Sequence, residues 1–225
     1  MENTKQKVGS LPTIRRLPSY LYLLKQLAQN GRDIVSSNHI AQCLKLEPIQ
    51  VRKDLAITGI EGKPKIGYHV PSLIKAIEEF LGWDSHKEVF LVGAGNLGSA
   101  LLGYKGFEQH GMKIIAAFDC DECKIGTQIH DRDVLPLEKL PDLARRMNIK
   151  LGIITVPAEA AQHVAGVMVS GGIEAIWNFS PVVLEVPEGV VVQNEDLSSG
   201  LAVLSVKSSK IPDIDPQFLA RIIHD

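Results

Sequence analysis

The residues best suited to chemistry sit in one short stretch, Gly93-Ala94-Gly95-Asn96-Leu97-Gly98. The apolar run VFLV precedes them and the helical pattern NLGSALLG follows, so the glycines fall in a turn between a strand and a helix. That context matters more than the bare GxGxxG spacing, because a dinucleotide fingerprint works only there. Gly93 permits the tight turn, Gly95 lets a pyrophosphate approach the backbone, and Gly98 lets the helix pack on the strand. The helix start turns unpaired N–H groups toward the phosphates. A second apolar run, KIIAAFD, ends at Asp119, 21 positions after Gly98. A carboxylate there accepts hydrogen bonds from the adenine-ribose hydroxyls and repels a 2′-phosphate, which favours NAD(H) over NADP(H). The plain alternative is a glycine-rich turn in a Rossmann domain with another ligand or none.

A second group of residues points to nucleic acid. The spacing predicts a helix from Pro48 to Thr58. Advancing about 100° per residue puts Val51 and Leu55 on one side and Gln50, Arg52, Lys53 and Ala56 on the other. Gln and Arg make bidentate contacts to base edges, and Arg and Lys neutralise phosphates. Alone, this would be an ordinary solvated face. A helix and tight turn before it, and the basic hairpin Lys63-Pro64-Lys65 after it, favour DNA binding, with Lys63 and Lys65 beside the minor groove or phosphates.

Other reactive residues carry less. Cys120 and Cys123 form a single CxxC directly after Asp119, with no second CxxC or histidine cluster to complete a metal site. They read as two thiols in a ligand loop, and no metal is expected. Cys43 reads as a small buried hydrophobe. The seven histidines form no catalytic arrangement. Trp177 reads as strand core and Arg145-Arg146 as a solvated helix end.

The elements that must position these residues follow from the apolar spacing. A polar tail covers residues 1 to about 12. A first helix is expected from Ser19 as N-cap to Gly31, a second from near Ser37, the third as above, then two short extended pieces around Gly62, Pro64 and Gly67, then the helix PSLIKAIEEFLG. This is the plan of a winged helix-turn-helix. From Glu88 the pattern becomes βα alternation with continuous apolar strands, the mark of a parallel sheet covered on both faces. The fold class is therefore α/β: a winged-helix domain over 1–82, a Rossmann-type doubly wound sheet over 83–195, and a C-terminal helix and tail over 196–225, with Gly200 weakening that helix.

Composition and charge agree. The chain has 225 residues, 45% hydrophobic and 22% charged, which excludes disorder and supports a sizeable core. No apolar run is long enough to span a membrane, no apolar leader is present, and three cysteines give no disulfide framework, so a cytoplasmic protein is expected. Residues 1–82 carry 12 basic and 7 acidic side chains, a net of +5, whereas residues 83–225 are net −7. A basic first third beside an acidic remainder implies two domains with different partners.

Five segments together resemble the Rex family of redox-sensing transcriptional repressors: IRRLPSYLYLL (14–24), QVRKDL (50–55), GAGNLGSAL (93–101), IIAAFDCDECKIG (114–126) and AIWNFSP (175–181). The resemblance runs over residues 8 to 207. It implies a homodimer with an exchanged C-terminal helix that binds palindromic operator DNA when free or bound to NAD+ and releases it when NADH accumulates. By the same resemblance, Gly93, Ala94, Gly95, Asn96, Leu97 and Gly98 hold the pyrophosphate. Asp119 holds the ribose, with Lys124 and Ile125 toward the adenosine. Val156, Pro157 and Ala158, with Asn178, Phe179 and Ser180, surround the nicotinamide. Arg52 and Lys53 sit in the recognition helix. Arg16, Tyr104 and Asp196 couple domains and subunits. The wing Gly62-Lys63-Pro64-Lys65-Ile66-Gly67-Tyr68 departs from the family's usual GKRGVGY.

Two other readings compete. An NAD-dependent oxidoreductase needs a substrate domain and a proton donor or acceptor by the nicotinamide, and only about 30 residues follow the strands. A regulator sensing another nucleotide, such as a coenzyme A derivative, meets Asp119, which repels a nearby 3′-phosphate. No enzyme activity is expected.

Overall fold

In a computed structural model, residues 9–209 are described, so most of the polar N-terminal tail, residues 1–8, and the C-terminal tail from 210 lie outside the described residues. The chain divides into two compact units: one runs to His86 and takes in Gly106–Met112, and the other holds Lys87–Lys105 and continues from Lys113.

The first unit begins with α1 (Leu11–Gln29), eight residues before the expected start at Ser19. Ser10 caps it, accepting the Thr13 amide at 3.4 Å, and the helix runs through Pro18. An internal proline costs about 3 kcal/mol. Leu17, Tyr20, Leu21 and Leu24 are all buried on one face of α1. Burying several such side chains, at about 1.5–3 kcal/mol each, outweighs the proline. After β1 (Ile34–Val35) come α2 (Ser37–Leu44), α3 (Pro48–Ala56), β2 (Tyr68–His69) and α4 (Val70–Leu81). The expected hairpin takes a different form. β2 pairs antiparallel with β1, while residues 63–67 close as a tight turn in which the Lys63 and Gly67 amides each donate to the other's carbonyl, at 2.8 and 2.9 Å. Ile40, Val51, Leu55, Leu73 and Ile77 complete the core of this unit.

The second unit contains β3 (Lys87–Val92), α5 (Asn96–Leu102), β4 (Met112–Asp119), β5 (Gln128–Ile129), β6 (Arg132–Pro136), α6 (Leu140–Met147), β7 (Leu151–Ile154), α7 (Ala158–Ser170), β8 (Ala175–Asn178), β9 (Val191–Asn194) and α8 (Leu197–Ser208). The sheet order is β5-β6-β4-β3-β7-β8-β9. The β3–β7, β7–β8, β8–β9 and β4–β6 pairs are parallel, and β5–β6 is antiparallel. The order reverses at β3, between β4 and β7, which places a ligand crevice at the carboxyl ends of those strands. The β5–β6 hairpin, which the pattern did not reveal, turns through His130 and Asp131, both with positive φ. Phe90 and Phe118 meet edge-on at 4.9 Å in the core.

Candidate functional site

Apolar residues drive β3 and β4 into the sheet centre, and their carboxyl ends deliver the glycine turn and Asp119 side by side. The Gly93 amide donates to the Phe118 carbonyl at 2.8 Å. Gly93 has φ +106°, and a Cβ on it would stand 2.8 Å from the Thr155 backbone. A Cβ on Gly98 would stand 1.9 Å from the Gly93 carbonyl oxygen. The fold itself therefore demands glycine at 93 and 98. Gly95 is different: its φ is −80° and a Cβ there would meet nothing within 4 Å. Its bare backbone faces a cavity of about 680 Å³.

That cavity brings together Gly93, Gly95, Leu97, Asp119, Lys124, Val156, Pro157 and Phe179, all anticipated from the sequence. Leu137, Glu138, Thr155, Ala160 and His163 also line it and were not anticipated. Thr155 could have been read from its place just after a strand end. Its hydroxyl donates to the Gly93 carbonyl at 2.8 Å and braces the turn.

Asp119 is buried and accepts three hydrogen bonds. Its Oδ2 accepts the Ala94 amide at 2.8 Å and the Lys124 ammonium at 3.2 Å, and its Oδ1 accepts the Asp121 amide at 3.0 Å. Burial pushes its carboxyl up, but the Asp121 and Ala94 amides and Lys124 outweigh that and hold it below the usual carboxylate range. A carboxylate offers about four acceptor positions, so one remains, and the half-exposed Lys124 can yield another.

Several expected contacts do not line the cavity. Ala94 and Gly98 are buried and shape the turn. Asn96 is exposed at the start of α5, and Ile125 and Ala158 are half-buried off the lining. Asn178 is fully buried: its Nδ2 donates to the Val182 carbonyl and to Asn194 Oδ1, both at 2.9 Å, and its Oδ1 accepts the Ser180 amide at 3.0 Å. Ser180 donates to the Val156 carbonyl at 2.5 Å. The polar atoms of Asn178 and Ser180 are thus spent on the loop, and that loop presents Phe179 to the cavity. Trp177 is half-buried, its ring 4.8 Å from that of Phe179.

In the first unit, Arg52, Lys63 and Lys65 line a cleft of about 410 Å³ with Ser36, Ser37 and Asn38. Arg52 donates to the Ser37 hydroxyl at 3.2 Å, and Lys53 is exposed. Gln50 departs from expectation: its amide donates to Asp54 Oδ1 at 2.8 Å and so points inward. Asp54 is the residue sequence reasoning missed. It has no exposed surface and also accepts from Thr13 at 3.0 Å, from Tyr20 at 2.6 Å and from both Nε and Nη2 of Arg16, at 2.6 and 2.8 Å. Burial alone would raise its carboxyl, yet Arg16, Tyr20, Gln50 and Thr13 together lower it to about 2. Arg16, expected at a domain or subunit contact, is here engaged by Asp54. Cys43 is exposed rather than buried, its sulfur 3.7 Å from His39 Nε2. Tyr104 is exposed at the end of α5, and Asp196 caps α8 by accepting the Ser198 amide at 2.8 Å.

Residues 84–182 match the family described as "CoA binding domain", and residues 10–56 match "Putative DNA-binding protein N-terminus". A redox-sensing transcriptional repressor Rex from Treponema denticola is 52% identical over 202 residues, covering 90% of this chain and 96% of that one. The chain belongs to the Rex family of redox-sensing transcriptional repressors. Rex from Desulforamulus reducens is 45% identical over 86% of this chain and 92% of that protein. Among solved structures, the Rex-family repressor RSP with β-NAD+ and operator DNA superposes with a TM-score of 0.86 at 32% identity, covering 97% of this chain and 98% of that one. RSP with β-NADH gives 0.81 at 34% identity, covering 90% and 95%. The family consists of transcriptional repressors, not enzymes. Among the described residues no cluster could hold a metal ion, and no helix is long and apolar enough to cross a membrane.

Proposed function

We propose that this chain binds NAD+ and NADH in the cavity of its second unit, binds operator DNA through α3 and the 63–67 turn, and leaves that DNA when NADH accumulates. The observation that carries this reading is Gly95, a glycine that neither backbone conformation nor packing requires, set where its bare backbone faces the cavity. A pyrophosphate approaching that backbone supplies the missing reason for glycine. The residues fit the nucleotide: Asp119 has acceptor capacity beside Lys124 for a ribose, and Val156, Pro157 and Phe179 give the cavity apolar lining. Bound there, the nucleotide signals redox state because its nicotinamide changes charge and planarity on reduction. Phe179, held by Asn178 and Ser180, is the residue of this chain placed to register that change. Asp119 also disfavours a 3′-phosphate, which opposes a coenzyme A derivative as the signal.

Arg52, Lys53, Lys63 and Lys65 supply the cationic surface for DNA, with residues 1–82 as the DNA-binding domain and 83–195 as the nucleotide-binding domain. Within the segment 196–225, the helix α8 serves dimerisation. In α8, Leu201, Val203, Leu204 and Val206 are between 54% and 64% exposed. A second copy of the chain is the partner that covers them, and a homodimer on a palindrome follows. The protein acts in the cytoplasm, where its operator and the nucleotide pool are found. Ligand can bias the DNA-bound arrangement only by its differential affinity for it.

NADH binding to wild-type protein and Gly95→Ala tests the reading. The added methyl meets open space in the protein, so the variant should fold as the wild type does while losing NADH. Equal NADH affinity in the two proteins would remove the proposed pyrophosphate contact.

A further inference from the structure

Cys120 and Cys123 make none of the proposed ribose or DNA contacts, yet they lie between Asp119 and Lys124, the residues that hold the ribose end of the cavity. Both thiols are exposed and free. Cys120 follows Asp119 directly and lines the cavity. Cys123 precedes Lys124, whose ammonium lies 3.2 Å from Asp119 Oδ2 and 3.5 Å from Asp121 Oδ2. The chain between them folds back on itself. Asp121 Oδ1 accepts the Cys123 amide at 2.9 Å, and the Asp121 carbonyl accepts the Lys124 and Ile125 amides at 2.9 and 3.1 Å. A reversing segment keeps residues three apart close, and a disulfide spans Cα separations of about 4.4–6.8 Å. In a compartment that keeps thiols reduced, an exposed disulfide of this kind is transient and regulatory rather than structural.

We infer that Cys120 and Cys123 form a peroxide-sensitive thiol switch that weakens NADH binding; the inference rests on the nucleotide reading above. Peroxide oxidises one thiolate to a sulfenic acid as its O–O bond breaks, and the other thiolate attacks that sulfur and expels its oxygen as water. Overall, two thiols and one hydrogen peroxide give one disulfide and two waters. Closure draws Cys123 toward Cys120. The Cys123 amide then leaves Asp121, and the 120–124 turn that lines the ribose end of the cavity changes shape. The wall of the ribose site is rebuilt around the new S–S bond, and the oxidised repressor stays on its operator at NADH levels that would release the reduced one. By reciprocity, bound NADH opposes closure by the same factor.

The test treats the full chain carrying Cys43→Ser, which removes the remaining thiol, with hydrogen peroxide. Cleavage after Lys113 and Lys124 leaves both cysteines in one peptide, 114–124. That peptide should lose two hydrogens and resist alkylation, and the Kd for NADH should rise about fivefold or more. Dithiothreitol should reverse both changes, and adding Cys123→Ser should leave the Kd unmoved by peroxide. Absence of the disulfide, a disulfide with unchanged Kd, or equal weakening in the Cys123→Ser protein would each overturn the switch. Failure of the reduced protein to bind NADH, seen before any peroxide is added, would instead overturn the nucleotide reading and this switch with it.

Discussion

The two units each bury an aspartate, and they use it in opposite ways. Asp54 is wholly enclosed and accepts from four side chains, Thr13, Arg16, Tyr20 and Gln50, so the protein itself consumes its acceptor capacity. Asp119 accepts from two backbone amides and one movable lysine, and it opens on a cavity. Saturation by the chain's own donors marks a carboxylate that fixes geometry, here α1 against α3. Spare capacity at a cavity wall marks one that waits for a ligand. The glycines repeat the contrast, since 93 and 98 are demanded by packing and 95 is not.

Breaking the first half of that contrast should have the largest effect. Asp54→Ala leaves the Arg16 guanidinium and three other donors without their acceptor and should cost about 3–5 kcal/mol. A thermal melt of the first unit would show it, and an unchanged melt would deny Asp54 its structural part. Acid should reproduce much of this loss. The Asp54 carboxyl is lowered to about 2 from an ordinary value of 3.8, so its contribution is fully present above about pH 4. It should fall away between about pH 4 and 2, by roughly 2–3 kcal/mol. Stability measured against pH should lose that acid step in Asp54→Asn.

The second half concerns binding rather than folding. Asp119→Ala removes hydrogen bonds to a charged acceptor, worth about 1.5–3 kcal/mol, so NADH affinity should drop by roughly tenfold to a hundredfold. Operator binding without NADH should persist. Calorimetric titration with NADH checks the first expectation and a gel shift the second. The smallest effect sharpens the DNA face. Lys63→Ala and Lys65→Ala should each reduce the slope of log affinity against log salt by about 1. Gln50→Ala should leave operator affinity at fixed salt alone, because its amide faces Asp54. A loss of operator affinity in Gln50→Ala, with the melt unchanged, would mean that the side chain turns outward to a base edge on DNA.

Much of this was legible in the residue order. Continuous apolar runs marked β3, β4, β7, β8 and β9, and the glycine turn between strand and helix located the cavity. What was hidden depended on partners distant in sequence. The start of α1 was masked by Pro18, whose local cost is overruled by the buried face of Leu17, Tyr20 and Leu21. β1 and β2 hold two residues each and exist only through each other. The β5–β6 turn uses His130-Asp131 in place of the usual Asn-Gly signal. Asp54 reads as one more charge in QVRKDL until α1 supplies Thr13, Arg16 and Tyr20. Asn178 ends a strand and Ser180 lies just past it, as ligand residues would, yet their neighbours take their polar atoms.

The central claim is that nucleotide redox state governs DNA occupancy. Its most direct test is a gel shift on a palindromic operator selected from random DNA, with NADH and NAD+ titrated separately at one fixed salt concentration, since phosphate contacts make affinity salt-dependent. The expected result is release by NADH at concentrations where NAD+ leaves the complex intact. An operator complex indifferent to both nucleotides would contradict the account.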